Sequence, residues 1–368
     1  MKVLHVYKIY LPDDFTGVPR VIYGLAEAHA ARGVDVRVFA PARAPSATPK
    51  SVGRHHVVQV QRSAAIASTD FSLAAFRAFR GAVRDADILH YHFPWPVADL
   101  LHSAHGRGKP AVLTYHSDIV RQRLLRHAYA PLMHGFLSRL DGIVATSPNY
   151  AETSPVLVRH RERVSVIPIG IGERATPDVA TLAAWRGRVG EGFFLFVGAL
   201  RYYKGLPYLI EAARLSGLPV VIAGNNAHGE LEVDGLPASV AYLGAVNDSD
   251  KEALLTLCRA FVLPSHLRSE AFGVALLEAA RAARPLISCE IGTGTSFVNV
   301  DGETGRIVPP ATPVALAAAM AELAGDPVLA ARMGSTARAR YEQKFTDGAM
   351  ASAYLDLYAA VLAKHGKA

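Results

Sequence analysis

Three residues in the second half of the chain have types and spacing suited to chemistry: Lys204, Glu270 and Glu278. Lys204 lies in VGALRYYKGLPYLIEAA, which leaves a strand at Gly198 and enters a helix near Leu206. A strand-to-helix turn holding Arg201, Lys204 and Gly205 offers two cations and free backbone N–H groups at the positive end of a helix, a setting that suits a diphosphate. Neutralising charge there would stabilise a departing phosphate group. The turn lacks the Gly-x4-Gly-Lys-Ser/Thr order of a P-loop, and no Gly-x-Gly-x-x-Gly follows the first strand.

Glu270 and Glu278 stand on either side of Phe272-Gly273 in SHLRSEAFGVALLEAARA. With a helix starting near Gly273, Glu270 falls in the loop before it and Glu278 more than a turn inside. One carboxylate can then meet a sugar hydroxyl while the other reaches a ribose. A plainer account is open: Glu270 as a helix-start charge and Glu278 as a solvated helix residue, although Leu276 and Leu277 argue against a fully exposed face. A third segment, ISCEIGTGTSFVNVDGETGRIVPP, places Gly292, Thr293, Gly294, Thr295 and Ser296 directly after a strand, where backbone N–H groups can wrap phosphate oxygens. Asp301-Gly302 and Thr304-Gly305, further along, read as turn chemistry.

The elements that must position these residues are legible as alternation. Short apolar runs (VLHVY, VDVRVFA, HHVVQVQ, ADILHYHF, AVLTYH, GIVATS, then FFLFVGAL, PVVIAGN, VAYLGAV, AFVLPS, PLISCE, GRIVP) alternate with amphipathic stretches, the pattern of parallel strands joined by crossover helices. VPRVIYGLAEAHAARG reads as a helix ending at Gly33. The run RVSVIPIGIGE, with Pro168, Gly170 and Gly172, reads as the linker between two α/β halves. Three helical segments close the chain, and the last is apolar enough to pack on a neighbour. The expected architecture is two Rossmann-like domains facing each other across a cleft, over residues 1–168 and 169–349, with a helix at 350–368 returning to the first domain. Ligands belong at the carboxyl ends of the strands.

Composition agrees with such a protein. A chain of 368 residues with 51% hydrophobic and 19% charged residues, without repeats or low-complexity tracts, is long enough for two cores. Its two cysteines, Cys258 and Cys289, exclude a disulfide framework and suit a reducing cytoplasm. The first segment, MKVLHVYKIYLP, reads as a strand rather than a secretory signal, and no run approaches the roughly 18 to 20 apolar residues of a spanning helix. Charge is uneven: residues 1–168 hold twenty-one Lys and Arg against twelve Asp and Glu, together with twelve of the fifteen histidines. A basic half suits an anionic partner, either a nucleic acid or a membrane surface, or simply an arginine-rich face in solvent. Arg121, Arg123, Arg126 and His127 share a candidate helix with Leu124, Leu125, Tyr129, Leu132 and Met133, which can form a face that touches a bilayer or, equally, an arginine face in solvent over a leucine face in the core.

Taken in order, the Lys-Gly loop, the Glu-x7-Glu helix and the glycine-rich loop before DGETG-x-x-V-P-P resemble the retaining glycosyltransferases of the GT-B fold, family 4. Thr16-Gly17-Val18-Pro19-Arg20 is similar to that family's N-terminal glycine loop. LRYYKGL, SEAFGVALLEA and EIGTGTSFVN are similar to bacterial mannosyltransferases of O-antigen and exopolysaccharide assembly. The resemblance implies GDP-mannose as donor and no metal cofactor, and a lipid-linked saccharide acceptor would fit the basic first half at the inner face of the cytoplasmic membrane. It implies that Lys204, with Arg201, clasps the donor diphosphate, Glu270 meets the transferred sugar and Glu278 the ribose. Phe272, Gly273 and Thr293 would face sugar and phosphate, and the end of the Tyr242–Val246 strand would lie near the base. From the first domain Gly17 would approach the diphosphate, and His116 would reach the sugar. Two departures stand out: Ala199 follows the strand-end glycine where many members have arginine, which leaves Arg201 two residues late, and Thr16 replaces a common glycine.

Retention without an evident protein nucleophile points to front-face substitution, with a donor phosphate oxygen taking the acceptor's proton. A covalent intermediate on Glu270 lacks a partner carboxylate. Metal motifs are weak. Asp85-Ala86-Asp87 reads as a helix end, Asp248-Ser249-Asp250 as an N-cap, and His90-x-His92 as hydrogen-bonded neighbours without a third ligand. Competing functions are a UDP-sugar transferase of the same fold, a sugar-nucleotide epimerase, and a basic nucleic-acid-binding protein; for the last, no aromatic-interleaved basic stripe is visible.

Overall fold

The computed structural model describes residues 1–366 except 47, 63, 67, 68, 72, 120–122 and 228. The chain divides into two compact units, Met1–Gly172 with Asp347–Ala368, and Glu173–Thr346.

The first unit contains β1 (Lys2–Val6), β2 (Asp35–Ala42), β3 (Lys50–Val52), β4 (His55–Gln61), β5 (Ala64–Ile66), β6 (Thr69–Phe71), β7 (Ile88–Phe93), β8 (Ala111–Tyr115), β9 (Gly142–Ala145) and β10 (Val164–Val166). Eight of them form one sheet in the order β10-β9-β8-β7-β1-β2-β4-β3, and β5 and β6 pair separately. Only β3 runs antiparallel in the large sheet. Every residue of β7, β8 and β9 is buried, as expected for parallel strands covered on both faces. Strand order reverses between β1 and β7, which are paired with His5 opposite His90.

The helix Asp347–Lys364 belongs to this unit and packs on the helix Val18–Ala30. It buries Met350, Ala351, Tyr354, Tyr358, Val361 and Leu362. Three polar contacts fix its register. The Tyr358 hydroxyl lies 2.6 Å from His90 Nδ1, the Tyr354 hydroxyl 2.6 Å from Thr114 Oγ1, and His29 Nε2 donates to the Ala351 carbonyl at 3.1 Å.

In the second unit β11 (Phe194–Val197), β12 (Val220–Ala223), β13 (Val240–Tyr242), β14 (Ala260–Leu263), β15 (Leu286–Cys289) and β16 (Gly305–Val308) are parallel throughout, in the order β13-β12-β11-β14-β15-β16. This is the doubly wound order whose direction reverses between its first and fourth strands, here β11 and β14. A ligand crevice is expected there, beyond the carboxyl ends of those two strands.

Each strand read from the apolar runs is present. One local reading is corrected: Asp248 and Asp250 occupy the first turn of the helix Asp248–Leu257, and the cap is Asn247, whose side chain accepts from the Asp250 N–H. Asparagine is as good a cap as aspartate, and the acidic pair adds favourable charge at the positive helix end. Arg121 and the side chains of residues 123–126 lie outside what the structure describes. Further along their helix, Arg123–Leu137, Met133, Phe136 and Leu137 are buried, and the Tyr129 hydroxyl donates to the buried Asp99 carboxyl. Among the described residues no single helix is long and apolar enough to cross a membrane. Cys258 and Cys289 are free and buried, and burial pushes each thiol up to about 12.

Candidate active site

Lys204 and Glu270 meet where the strand order of the second unit reverses. Lys204 ends the turn Tyr202–Lys204 that follows β11, and Glu270 lies in the loop that follows β14. Two features pin these loops together. The His266 N–H donates to the Tyr203 carbonyl at 3.0 Å, and Gly205, at φ 73°, presses so closely on Pro264 that a Cβ there would collide with its carbonyl oxygen. No other residue satisfies both the left-handed backbone and the contact.

The Lys204 ammonium forms an ion pair with the Glu270 carboxylate, and Ser265 Oγ donates to the same carboxylate at 3.3 Å. The side chains are 14% and 11% exposed, so the pair is largely removed from water yet open on one side. Burial, the largest single influence, pulls the Lys204 ammonium down, but the Glu270 charge, the neighbouring Tyr203 and the hydrogen bond to Glu270 together outweigh it and leave the ammonium above its ordinary value. The Tyr203 ring lies beneath it, 5.5 Å from Nζ. Arg201, three residues earlier, has no hydrogen-bonded or ion-paired side-chain partner among the described residues. A fixed ammonium beside a carboxylate, with a further guanidinium nearby, can hold a diphosphate and orient hydroxyl groups next to it.

Glu278 lies within the helix Val274–Arg281, whose cap is Gly273 at φ 84°. It is not solvated: Lys251 donates to its carboxylate at 2.6 Å and reaches Asp248 at 3.2 Å. Sequence reasoning missed Lys251, which is buried at the start of the preceding helix. Local pattern pointed only to its neighbour Asp248, because Glu278 comes from a different helix.

Two residues expected to face the ligand have side chains that are also engaged within the fold. Thr293 is fully buried, and its hydroxyl donates to the Glu270 carbonyl at 2.8 Å, so it holds the Glu270 loop in place. The Phe272 ring packs edge-on against Phe345 at 6.2 Å. The glycine-rich segment is equally tied down: Arg268 donates to the Gly292 carbonyl at 2.7 Å, and Glu290 accepts from the Gly292 N–H at 2.8 Å. Thr304 and Asp301 serve the turn, as read, through Asn299 and the Ile307 N–H.

Gly17 and His116 belong to the first unit. Gly17 caps the helix Val18–Ala30 at φ 53°, and among the described residues nothing beyond its chain neighbours lies within 4 Å of where its Cβ would be. His116 follows β8, is 7% exposed, and lies with Nε2 3.0 Å from His92 Nδ1. Burial lowers it to about 3, so it is a neutral hydrogen-bonding group. His90 and His92 do have a third histidine beside them, His5 on β1, with ligand atoms within 4.8 Å of one another. Strand pairing across more than eighty residues put it there, which spacing along one strand cannot reveal. Both nitrogens of His90 are already engaged, by Tyr358 and by Thr114.

Two Rossmann-like units, the second carrying an ammonium-carboxylate pair at its switch point, define the class of GT-B glycosyltransferases. Residues 15–173 match the model for Glycosyltransferase Family 4, and residues 183–340 match that for glycosyl transferases group 1. The chain is 46% identical to O-antigen chain mannosyltransferase C of Escherichia coli, over 98% of this chain and 99% of that one. It is 47% identical to D-rhamnosyltransferase WbpZ of Pseudomonas aeruginosa, over 94% and 92%. The chain therefore belongs to glycosyltransferase family 4. Among solved structures it is similar in fold to sucrose-phosphate synthase from Thermosynechococcus elongatus, with a TM-score of 0.81 and 20% identity over 99% of both chains. It is also similar to Anabaena Alr3699/HepE, solved with UDP and glucose, with a TM-score of 0.78 and 16% identity over 98% and 99%.

Proposed function

We propose that this glycosyltransferase moves a mannosyl unit from GDP-mannose, with retention and without a metal, onto a lipid-linked saccharide in the assembly of a bacterial surface polysaccharide. The observation that carries the reading is the 46% identity, along nearly the whole of both chains, to an O-antigen chain mannosyltransferase. The site chemistry supports it. Lys204 and Arg201 neutralise the diphosphate as the glycosidic C–O bond to phosphate breaks, and that leaving oxygen takes the proton of the attacking hydroxyl. Glu270 orients the sugar hydroxyls, Glu278 the ribose, and the backbone at Phe272 and Gly273 lies along the sugar and phosphate. Gly17 gives the diphosphate close backbone approach, and His116 donates to an oxygen of the sugar. The basic first unit faces anionic head groups or the acceptor diphosphate at the cytoplasmic side of the membrane.

A second reading, transfer of D-rhamnose, is favoured by the 47% identity to a D-rhamnosyltransferase. The two sugars differ by one hydroxyl, at carbon 6. A hydrophobic subsite rejects an added hydroxyl by only about 10²-fold, whereas a site built to hydrogen-bond that hydroxyl rejects its absence more strongly. Donor and acceptor are tested together by offering GDP-mannose, GDP-D-rhamnose, UDP-glucose and UDP-N-acetylglucosamine with a lipid-linked oligosaccharide primer and measuring elongation. Mannosyl transfer is expected. Preference for GDP-D-rhamnose selects the second reading, and preference for a UDP-sugar overturns both.

A further inference from the structure

Three of the buried histidines on β1, β7 and the end of β8 form a continuous hydrogen-bonded row. His5 Nδ1 lies 3.0 Å from His92 Nε2, and His92 Nδ1 lies 3.0 Å from His116 Nε2. The rings are stacked, with centroids 5.3 Å and 5.2 Å apart. One end is closed: His5 is fully buried, and among the described residues its Nε2 has no hydrogen-bond partner. His116 forms the other end. Beside the row, His90 is held by Tyr358 and Thr114, and the helix Asp347–Lys364 that supplies Tyr358 helps keep this face dry.

Burial holds all three rings neutral. A neutral imidazole has one N–H and one lone pair, so the two bonds of the row can form only if their protons point the same way. Pointing inward, they leave an N–H on His5 Nε2 with no acceptor. Pointing outward, they leave a lone pair there, and orphaned buried N–H groups are the rarer defect. We infer that His5 and His92 are positioning residues: His5 Nδ1–H donates to His92 Nε2, His92 Nδ1–H donates to His116 Nε2, and His116 is thereby fixed with its Nδ1–H as a donor toward sugar or acceptor oxygen. The functional half of this rests on the proposed role of His116 in transfer. No proton travels along the row, because the closed end neither supplies nor receives one. The row decides which ring nitrogen of His116 carries the hydrogen, and so makes it a donor rather than a base.

The test reads the tautomer directly. In full-length ¹⁵N-labelled protein, long-range proton–nitrogen correlation spectra should show His116 as a single Nδ1–H tautomer. His5→Leu, which deletes the first donor, should turn it into a mixture. With GDP-mannose, kcat should fall about three- to tenfold, the worth of one hydrogen bond, with KM unchanged. His5→Asn, whose amide N–H lies close to the position of Nδ1, should restore both. An Nε2–H tautomer of His116 in the unmodified protein, or a tautomer indifferent to His5→Leu, overturns the row. So does one equivalent of zinc per chain that is lost with His5→Leu. A tautomer that shifts while kcat stays constant overturns the role of His116 in transfer and leaves the row standing, so the two failures are distinguishable.

Discussion

The two units bury polar groups in opposite ways. The first packs neutral imidazoles against hydroxyls and one another: His5, His92 and His116 in a row, His90 between Tyr358 and Thr114. The second packs formal charges in pairs: Lys204 with Glu270, Lys251 with Glu278, Arg281 with Glu252. A buried ion pair contributes little net stability, because desolvation offsets the attraction, yet either partner alone is costly. Keeping one such pair, Lys204 with Glu270, at the switch point therefore makes sense if a charged ligand is to share in it. Lys204 paired with Glu270 is an ammonium already dehydrated and aimed, which a diphosphate can recruit without further reorganisation. The neutral network of the first unit can hold direction but not charge.

Breaking the leading pair should have the largest effect. Lys204→Ala or Glu270→Ala is expected to lower kcat/KM for transfer about 10²- to 10³-fold. Each should also lower the denaturation midpoint, since one buried charge is left without its partner. The double variant Lys204→Met/Glu270→Leu sharpens the comparison: it should recover most of the stability and none of the activity. Recovery of transfer in that variant would show that the charges serve the fold alone.

Acid separates the units next. For His29 and His102, lowered to about 4, and His116, lowered to about 3, burial is the first cause, and it also holds His5, His90 and His92 well below the ordinary value. A depressed folded value means that unfolding takes up a proton. The contribution to stability is complete above about pH 6.5 and is lost as pH falls toward the folded values, at about 1.4 kcal/mol per pH unit for each histidine. Asp99, raised by burial to about 8, works the other way and loses its contribution as pH rises, but it is one group against six. Hydrogen–deuterium exchange at pH 7.5 and 5.5, corrected for intrinsic rates, should show β1, β7 and β8 losing protection on acidification well before β11 and β14. Equal loss in both units would remove the distinction.

How far this contrast could be read in advance depends on the range of the interaction. The strands were legible because runs such as AFVL and FFLFV are apolar over their whole length, and the Lys-Gly turn and Glu-x7-Glu spacing marked one candidate site from local pattern alone. The His row was not legible, since His5 and His92 become neighbours only through the pairing of β1 with β7. Nor was the Lys251 partner of Glu278, which comes from a different helix. The Thr293 contact was hidden for a related reason: a hydroxyl in a glycine-rich loop shows no partner until the fold supplies the Glu270 carbonyl as its acceptor.

The third test lies between the extremes. Glu278→Gln keeps shape but leaves Lys251 with Asp248, which is more exposed, as its remaining acidic partner. If Glu278 also holds the ribose, KM for the sugar nucleotide should rise about tenfold, in line with loss of one charge-assisted hydrogen bond, while kcat changes little. A fall in kcat with KM unchanged would move Glu278 from ground-state binding to the transition state.

The smallest effect is expected where the neutral network is cut away from the row. Tyr358→Phe removes the hydroxyl 2.6 Å from His90 Nδ1 and leaves that nitrogen buried without its partner. His90 keeps Thr114 at Nε2, and Thr114 keeps Tyr354, so the defect is a single unmet neutral group. It should cost about 1–2 kcal/mol, read as a lower urea midpoint at unchanged slope. The helix Asp347–Lys364 should stay docked, because its apolar residues carry most of its burial. Set beside Lys204→Ala, this loss measures how much more an unpaired charge costs than an unpaired imidazole nitrogen in the same protein. Equal losses would mean that water reaches the Lys204–Glu270 pair freely, and the second unit's ammonium would then be no better prepared for a diphosphate than a lysine on the surface.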